Sequence, residues 1–521
     1  MTHEQTKSIN PATGEVIGYS EVNTNEELKE MIRKAKIAQR NWEKVSLKER
    51  KKYILRIRDY IVENAEKIAS TITIDNGKTL IDSLATEVLP AAMAATYYSN
   101  KSKKFLREDK LSSGNILFIY KRSRIVRIPF GVVGIISPWN YPFAIPFSEV
   151  IMALLAGNSV ILKTATETLL VGKILKEAVD SAGIPQNVFN YVNMPGSVIG
   201  DALLENGIDK LFFTGSVNIG KHLMKKASET LTPVSLELGG NDAMIVCHDA
   251  DVYRAAMGAL WAGFQNAGQS CGGVERIYVH EKIYDEFMGI LKDKIENLKI
   301  GNGNSFDVDM GCMTTKKQCD IVKAHVDDAL KKGAVIFAES KALIDNSSNF
   351  LHAMVLTNVN HNMMLMKDET FGPVVGVMKF NNYEEAIELA NDSYLGLTAS
   401  VWSKNRKHAQ AIGRQIKAGA VTINDHLMSH GLAETPWGGF KQSGIGRTHG
   451  KLGFDEMTQP MVIVNDVFPF LRKNLWWHPF GKKLYDGLSG IPMMLYGKSI
   501  SIKISGLARL AKIFPRVFLR E

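Results

Sequence analysis

A chain of 521 residues is long enough for two or three domains with complete cores, and 45% hydrophobic with 22% charged residues is ordinary for a globular protein. Four scattered cysteines (Cys247, Cys271, Cys312, Cys319), with no C-x-x-C pair, exclude a disulfide framework and point to a reducing cytoplasm. The net charge of +9 is uneven: residues 466–521 hold ten Lys/Arg against three Asp/Glu, so the body is nearly neutral, which argues against a nucleic-acid-binding protein.

The first ten residues are polar and lack the apolar core of a signal peptide. Helical spacing of apolar residues predicts helices over 26–42 and 47–72, the second through Ile54, Ile57, Ile61 and Ala65. Alternation over 116–128 predicts a strand pair. The apolar stretch 150–162 is broken by Gly157-Asn158 and is too short to span a bilayer. From Ser159 the rhythm alternates: strand 159–163, helix 169–182, strand 188–192, short helix 197–205, strand 210–213 and helix 217–228. A second alternating series runs from Ala243 to about Ile423. The fold class is therefore α/β, with two doubly wound domains.

Phe213-Thr214-Gly215-Ser216-Val217-Asn218-Ile219-Gly220 falls at a strand-to-helix turn, where glycine and a helix N-terminus suit a phosphate. No G-x-G-x-x-G follows a strand. Gly215 to Lys221 also fits the start of a Walker A loop, but His222 stands where magnesium needs Ser or Thr. Further on, Leu236-Glu237-Leu238-Gly239-Gly240-Asn241 sets an acid in an apolar strand that turns on two glycines. Gly268-Gln269-Ser270-Cys271 sets a thiol among small residues. An open thiol and a buried carboxylate are what covalent catalysis at a carbonyl needs: a nucleophile, and a base to activate water.

These two segments, 34 residues apart from Glu237 to Cys271, resemble the glutamate and cysteine motifs of the aldehyde dehydrogenase superfamily. The resemblance runs from about Asn10 to about Val464. It implies a coenzyme-binding domain over 1–112 and 131–239 and a catalytic domain over 240–445. It also implies a small β oligomerisation arm over 113–130 and 455–466, bridging a homodimer or homotetramer. Residues 467–521 form a separate C-terminal extension.

The resemblance assigns Cys271 as nucleophile, Glu237 as base and Asn140, within Ser137-Pro138-Trp139-Asn140-Tyr141-Pro142, as oxyanion donor beside the Cys271 amide. Coenzyme contacts fall on Ser137, Trp139, Lys163, Thr166, Gly215, Ser216, Gly220, Glu369 and Phe371. NAD-preferring relatives usually carry a glutamate three positions after the lysine. Here that place holds Thr166, with Glu167 one residue on, so the coenzyme is NAD or NADP with a lean to NADP or dual use. Glu149 stands where several relatives have a lysine, which puts a proton relay through that lysine in doubt. His426 and His430 lie at an i, i+4 spacing with no third ligand, so no metal site is expected.

The implied reaction is oxidation of an aldehyde to its acid through a Cys271 thiohemiacetal and a thioester. An apolar aliphatic or aromatic aldehyde leads as substrate. Succinic semialdehyde, an acylating coenzyme-A reaction and a non-catalytic cofactor-binding scaffold are the alternatives. In the extension, Ile504, Leu507, Leu510, Phe514 and Val517 recur at three- and four-residue steps, with Lys503, Arg509, Lys512, Arg516 and Arg520 between them. That basic amphipathic pattern suits a membrane surface, a packed helix or a lid.

Overall fold

The computed structural model describes residues 4–343 and 349–519. Two units emerge, one of residues up to 106 with 128–459, the other of residues 107–127 with 460–521. In the first unit, a six-stranded sheet has the order Gly444–Ile445, Val234–Glu237, Lys210–Thr214, Val132–Ile136, Ser159–Lys163, Phe189–Tyr191. Neighbours are parallel except for the added Gly444–Ile445, which opposes Val234–Glu237. Strand residues are buried on both faces and divide by parity. Val133, Ile135, Val160, Leu162 and Phe212 join one core, with the helices Ala144–Ala156 and Leu169–Ser181. Val132, Ile161, Leu211, Phe213 and Leu236 join another, with Gly196–Glu205 and Val217–Ala227. A sheet covered on both faces is the doubly wound arrangement the alternating sequence predicts.

The second sheet has the order Val335–Glu339, Met354–Thr357, Val374–Phe380, Val274–His280, Asp242–Val246, Thr398–Trp402, Ala420–Ile423. Only its first pair is antiparallel. The helix expected over 26–42 runs Asn25–Trp42, opened by a Thr24–Glu27 capping box. The one expected over 47–72 is two, Leu47–Glu63 and Ala65–Asn76. Asn64 divides them, its side-chain amide donating to the Tyr60 carbonyl at 2.9 Å.

In the second unit the strand pair expected over 116–128 is one strand, Lys121–Pro129, after a 3-10 turn Ile116–Phe118. Asn115 accepts from the Leu117 amide at 2.9 Å and fixes that turn. The strand pairs instead with Asp109–Leu111 and Thr458–Asp466. Beyond it come helices Lys482–Leu488, Gly490–Tyr496 and Ile500–Ala511. The last two cross at Gly490 and Gly506, where an added Cβ would meet backbone. The five-residue apolar stripe does not share one face. Leu510, packed with Leu484 and Ile513, and Val517 turn inward, whereas Ile504, Leu507 and Phe514 are exposed; the helix ends at Ala511 and a 3-10 turn follows. Arg520 lies outside the described residues.

Candidate active site

The two sheets of the first unit offer opposite ends to one cleft. From the six-stranded sheet come the C-terminal ends: Ser137 follows Val132–Ile136, Thr214 ends its strand, and Glu237 ends Val234–Glu237. From the other sheet come N-terminal ends, with Cys271 just ahead of Val274–His280 and Glu369 to Phe371 ahead of Val374–Phe380. Between them lies a cavity of about 770 Å³ that Cys271, Glu237, Asn140, Trp139, Glu369 and Phe371 all line.

Cys271 is delivered by a strained turn. Asn266, Ala267 and Gly268 take positive φ of 54°, 54° and 71° in succession. Two non-glycine residues in that region are held only by their surroundings. The Asn266 amide donates to the carbonyls of Asn140 (2.9 Å) and Gln269 (3.2 Å), and the Gln269 amide donates back to the Asn266 carbonyl at 2.9 Å. Gly268 has no room for a Cβ, which would sit 2.1 Å from the Gly372 carbonyl oxygen. Burial raises the Cys271 thiol above its ordinary pKa, and the carboxyls of Glu369, Asp242 and Glu237 push the same way.

Asn140 is 2% exposed and donates to the Gln269 carbonyl at 3.1 Å, which leaves one of its two amide hydrogens for a substrate oxygen. Its own carbonyl is gripped by Lys78, whose ammonium donates to it at 2.8 Å and to Glu87 at 2.7 Å. Both side chains of this ion pair are fully buried. The other Glu87 oxygen accepts from the amides of Phe143 (3.0 Å) and Ala144 (2.8 Å), at the start of Ala144–Ala156.

Glu237 is 4% exposed, and neither carboxylate oxygen makes a well-formed hydrogen bond, although the Thr448 amide is close enough to lower its pKa. Burial raises its pKa well above the usual range; Glu149 adds repulsion and Arg447 opposes. Glu149, also buried, is pushed up to about 8 by burial, with the Thr214 hydroxyl lowering it part of the way. Glu275 accepts from the amides of Thr370 and Phe371 (2.9 and 2.8 Å) and so pins the segment that carries Glu369. Glu369 in turn accepts from the Gly240 amide at 2.9 Å.

Not every expected coenzyme residue faces the cavity. Gly215 and Ser216 do, at the N-terminus of Val217–Ala227, with Val217, Asn218 and Lys221. Trp139 and Phe371 meet edge to face, ring centres 5.5 Å apart. Lys163, Thr166, Ser137 and Gly220 lie outside the lining. Gly220 packs under Leu238, where a Cβ would come within 2.6 Å, so it brings helix and strand together. Lys163 is buried at its strand end and Thr166 is half-buried in a 3-10 turn. The cavity, the free helix N-terminus and the glycine approaches suit a dinucleotide. Among the described residues no cluster of three or more His, Cys, Asp or Glu is placed to hold a metal.

A second opening reaches Cys271, a channel of about 280 Å³. Leu89, Met93, Tyr141, Trp261, Leu427 and Met428 line it. Among the described residues its lining holds one acidic side chain, Asp82, and no Lys or Arg.

Sequence reasoning missed Lys78, Glu87, Glu275, Arg447 and His449, which no local motif marks as partners. A buried-length Lys within Asn76-Gly77-Lys78-Thr79, just past a helix, was the one available signal. The profile of the aldehyde dehydrogenase family matches residues 1–463. A 4,4'-diapolycopene aldehyde oxidase of Methylomonas sp is 35% identical over 491 residues, 94% of this chain and 91% of the relative. A putative succinate-semialdehyde dehydrogenase [NADP(+)] of Mycobacterium ulcerans is 37% identical over 87% of this chain and 86% of its own. The structure of a Staphylococcus aureus betaine aldehyde dehydrogenase in complex with NAD+ superposes with a TM-score of 0.84 at 34% identity, covering 91% of this chain and 94% of that one. The chain therefore belongs to the aldehyde dehydrogenase family, and it is an NAD(P)-dependent oxidoreductase of aldehydes.

Proposed function

We propose that the substrate is an extended apolar aldehyde, oxidised to its carboxylic acid. The observation that carries this reading is the channel to Cys271, lined mainly by apolar and aromatic side chains and, among the described residues, by no Lys or Arg. A carboxylate-bearing aldehyde such as succinic semialdehyde would meet no counter-ion there and would face Asp82. Buried unpaired charge is costly, so the channel selects against it. The apolar collar continues outward through Ile81, Leu89, Met93, Trp261 and Met428, each at least 43% exposed. The likeness to the 4,4'-diapolycopene aldehyde oxidase spans 491 of 521 residues and so must enter the 467–521 extension.

In this reading the Cys271 sulfur adds to the aldehyde carbon, and the resulting oxyanion is held by Asn140 and the Cys271 amide. One such donor is worth ~10²–10³ in rate. The six-stranded sheet with 1–112 and 131–239 holds the coenzyme, whose nicotinamide supplies a hydride acceptor when bound. Gly215, Ser216, Trp139, Glu369 and Phe371 position it. Glu237 takes a proton from water, which attacks the Cys271 thioester and frees the acid. Overall, aldehyde, oxidised coenzyme and water give carboxylate, reduced coenzyme and two protons. Residues 240–445 are the catalytic domain. Thr166 stands where a carboxylate would hold both ribose hydroxyls, with the Glu167 carboxylate displaced one residue on though still acting on Lys163, so the coenzyme preference leans to NADP or dual use.

The strands around 113–130 and 455–466 serve as the oligomerisation arm of a homodimer or homotetramer. The extension is a surface for anionic lipid: Ile500, Ile504, Leu507 and Phe514 are exposed beside Lys498, Lys503 and Lys512. Among the described residues no helix is long and apolar enough to cross a membrane. Reduced-coenzyme formation from decanal, benzaldehyde and succinic semialdehyde, each with NAD and NADP, tests the assignment, with Cys271→Ala as control. Decanal should lead in kcat/KM. A lead for succinic semialdehyde would overturn the substrate reading.

A further inference from the structure

Behind the catalytic pair lies a small cavity of about 20 Å³, space for one water. Glu237, Glu149, Thr448, His449, His430 and Cys271 are among its lining residues. Five buried polar atoms around it make no well-formed hydrogen bond within the protein: both Glu237 carboxylate oxygens, Oε2 of Glu149, Oγ1 of Thr214 and Nδ1 of His449, with the Thr448 amide and the Thr214 hydroxyl close enough only to lower the pKa of Glu237 and Glu149 respectively. Polar atoms are rarely left bare in a protein interior, and a water here, with two hydrogens and two lone pairs, can bridge the Glu237 and Glu149 carboxyls.

We propose that Glu149 is the proton acceptor for Glu237, reached through one water in this cavity, and that His449 and His430 continue the route to the channel. The inference rests on the reading of Glu237 as base. Hydrolysis of the thioester gives the buried Glu237 a proton, and the next turnover requires its loss. The Glu237 carboxyl passes that proton to the cavity water, which gives one of its own to the Glu149 carboxylate; no electrons move. Reversal returns the proton outward past His430, which faces both the cavity and the channel; burial lowers His430 to about 4 and holds His449 well below its ordinary range, so the two imidazoles hand a proton on without keeping it. The two imidazole rings lie 5.0 Å apart.

The groups facing Glu149 fit this role. Thr214 ends the strand beside it, Glu237 ends the next, and Cys271 lies across the cavity. The turn before Gly450–Glu456 adds Thr448 and His449 to the cavity, while Arg447 from that turn and Glu456 from that helix act on Glu237. Arg447 donates to the carbonyls of Gly446 (2.6 Å) and Gly439 (3.2 Å), so its guanidinium is committed elsewhere. Glu456 is paired with Lys210 at 2.8 Å. No ammonium neutralises Glu149, whose carboxyl, buried and held near 8, remains able to accept and release a proton at working pH.

The test uses p-nitrophenyl acetate without coenzyme, which acylates Cys271 directly and isolates hydrolysis. In Glu149→Gln the p-nitrophenol burst should persist while the steady rate falls about tenfold or more, and the pH dependence around 8 should flatten. Glu149→Asp, which keeps a carboxyl, should restore most of the rate with a displaced pH profile. An unaltered rate and profile in Glu149→Gln would overturn the proposal. Should that variant not fold, an Asp variant with the wild-type profile would do the same. If Glu237→Gln keeps the full steady rate, the base assignment is at fault; loss in Glu237→Gln with no change in Glu149→Gln refutes the relay alone.

Discussion

Replacing Lys78 by Met removes a charge from the deepest part of the catalytic scaffold while keeping most of the side-chain volume. The Lys78 ammonium makes three contacts: Glu87 at 2.7 Å, the Asn140 carbonyl at 2.8 Å and the Tyr141 ring, 4.3 Å from its centre. With both partners fully buried, the substitution strands the Glu87 carboxylate, and breaking such a pair costs ~3–5 kcal/mol. The same change frees the loop that presents Asn140, so part of an oxyanion donor worth ~10²–10³ in rate is lost with it. Thermal inactivation half-life and single-turnover reduction of coenzyme report the two effects separately. Lys78→Met should inactivate faster and turn over at least ~10-fold more slowly. The double variant Lys78→Met/Glu87→Gln should recover most of the stability, because a neutral amide can accept from the Phe143 and Ala144 amides and donate to the Asn140 carbonyl. A Lys78→Met protein as stable as wild type, or a double variant worse than the single, would refute the argument that the pair acts as one unit.

Two further outcomes follow from other parts of the molecule. Glu149 titrates near 8 in the folded chain against an ordinary 4.5, so its stabilising contribution is complete below about 4.5 and is lost as pH climbs to 8. Glu149→Gln should therefore lose less stability than wild type in urea titrations taken from pH 5 to pH 8, and parallel curves would contradict the assignment. In the extension, Ile504→Glu/Leu507→Glu replaces two exposed side chains and leaves the Leu484–Leu510–Ile513 core intact. Co-sedimentation with phosphatidylglycerol vesicles should drop about tenfold or more and be salt-sensitive in the parent; equal sedimentation of the two proteins would remove the lipid reading.

The legible parts of this site are those whose chemistry is local in sequence. Cys271 sits in a turn of small residues and Glu237 ends an apolar strand just ahead of two glycines, each specified by a single segment, and both line the same cavity. Strand 159–163 is found at its expected bounds because an unbroken buried run has few alternatives. What supports these residues is written in long-range pairs: Lys78 meets a carbonyl 62 positions away, and Glu275 holds amides 95 and 96 positions away. The extension shows the complementary failure. Its periodicity continues through Phe514 and Val517, but of the five only Leu510 and Val517 turn inward, because the side that packs is set by Leu484 and Ile513, which lie outside the pattern. Gly220 belongs to a motif that suits phosphate, yet its missing side chain serves Leu238.

The carboxyls around Cys271 set opposing demands that the arrangement resolves by position. Burial and mutual repulsion raise Glu237, Glu369 and Asp242 and also hold the thiol protonated. A higher pKa makes Glu237 a stronger base towards water but lowers the fraction that carries no proton, so the useful rate depends on how quickly the proton is handed on. A lysine beside Glu237 would favour its ionised form and weaken it as a base. A second buried carboxyl does the reverse, since two acids in one low-dielectric pocket hold a shared proton and titrate as a pair. Glu149 in that place therefore changes the base from a group tuned by a fixed charge to one tuned by proton occupancy. Activity in this chain should climb with pH as the pair empties, and that climb should depend on the residue at position 149.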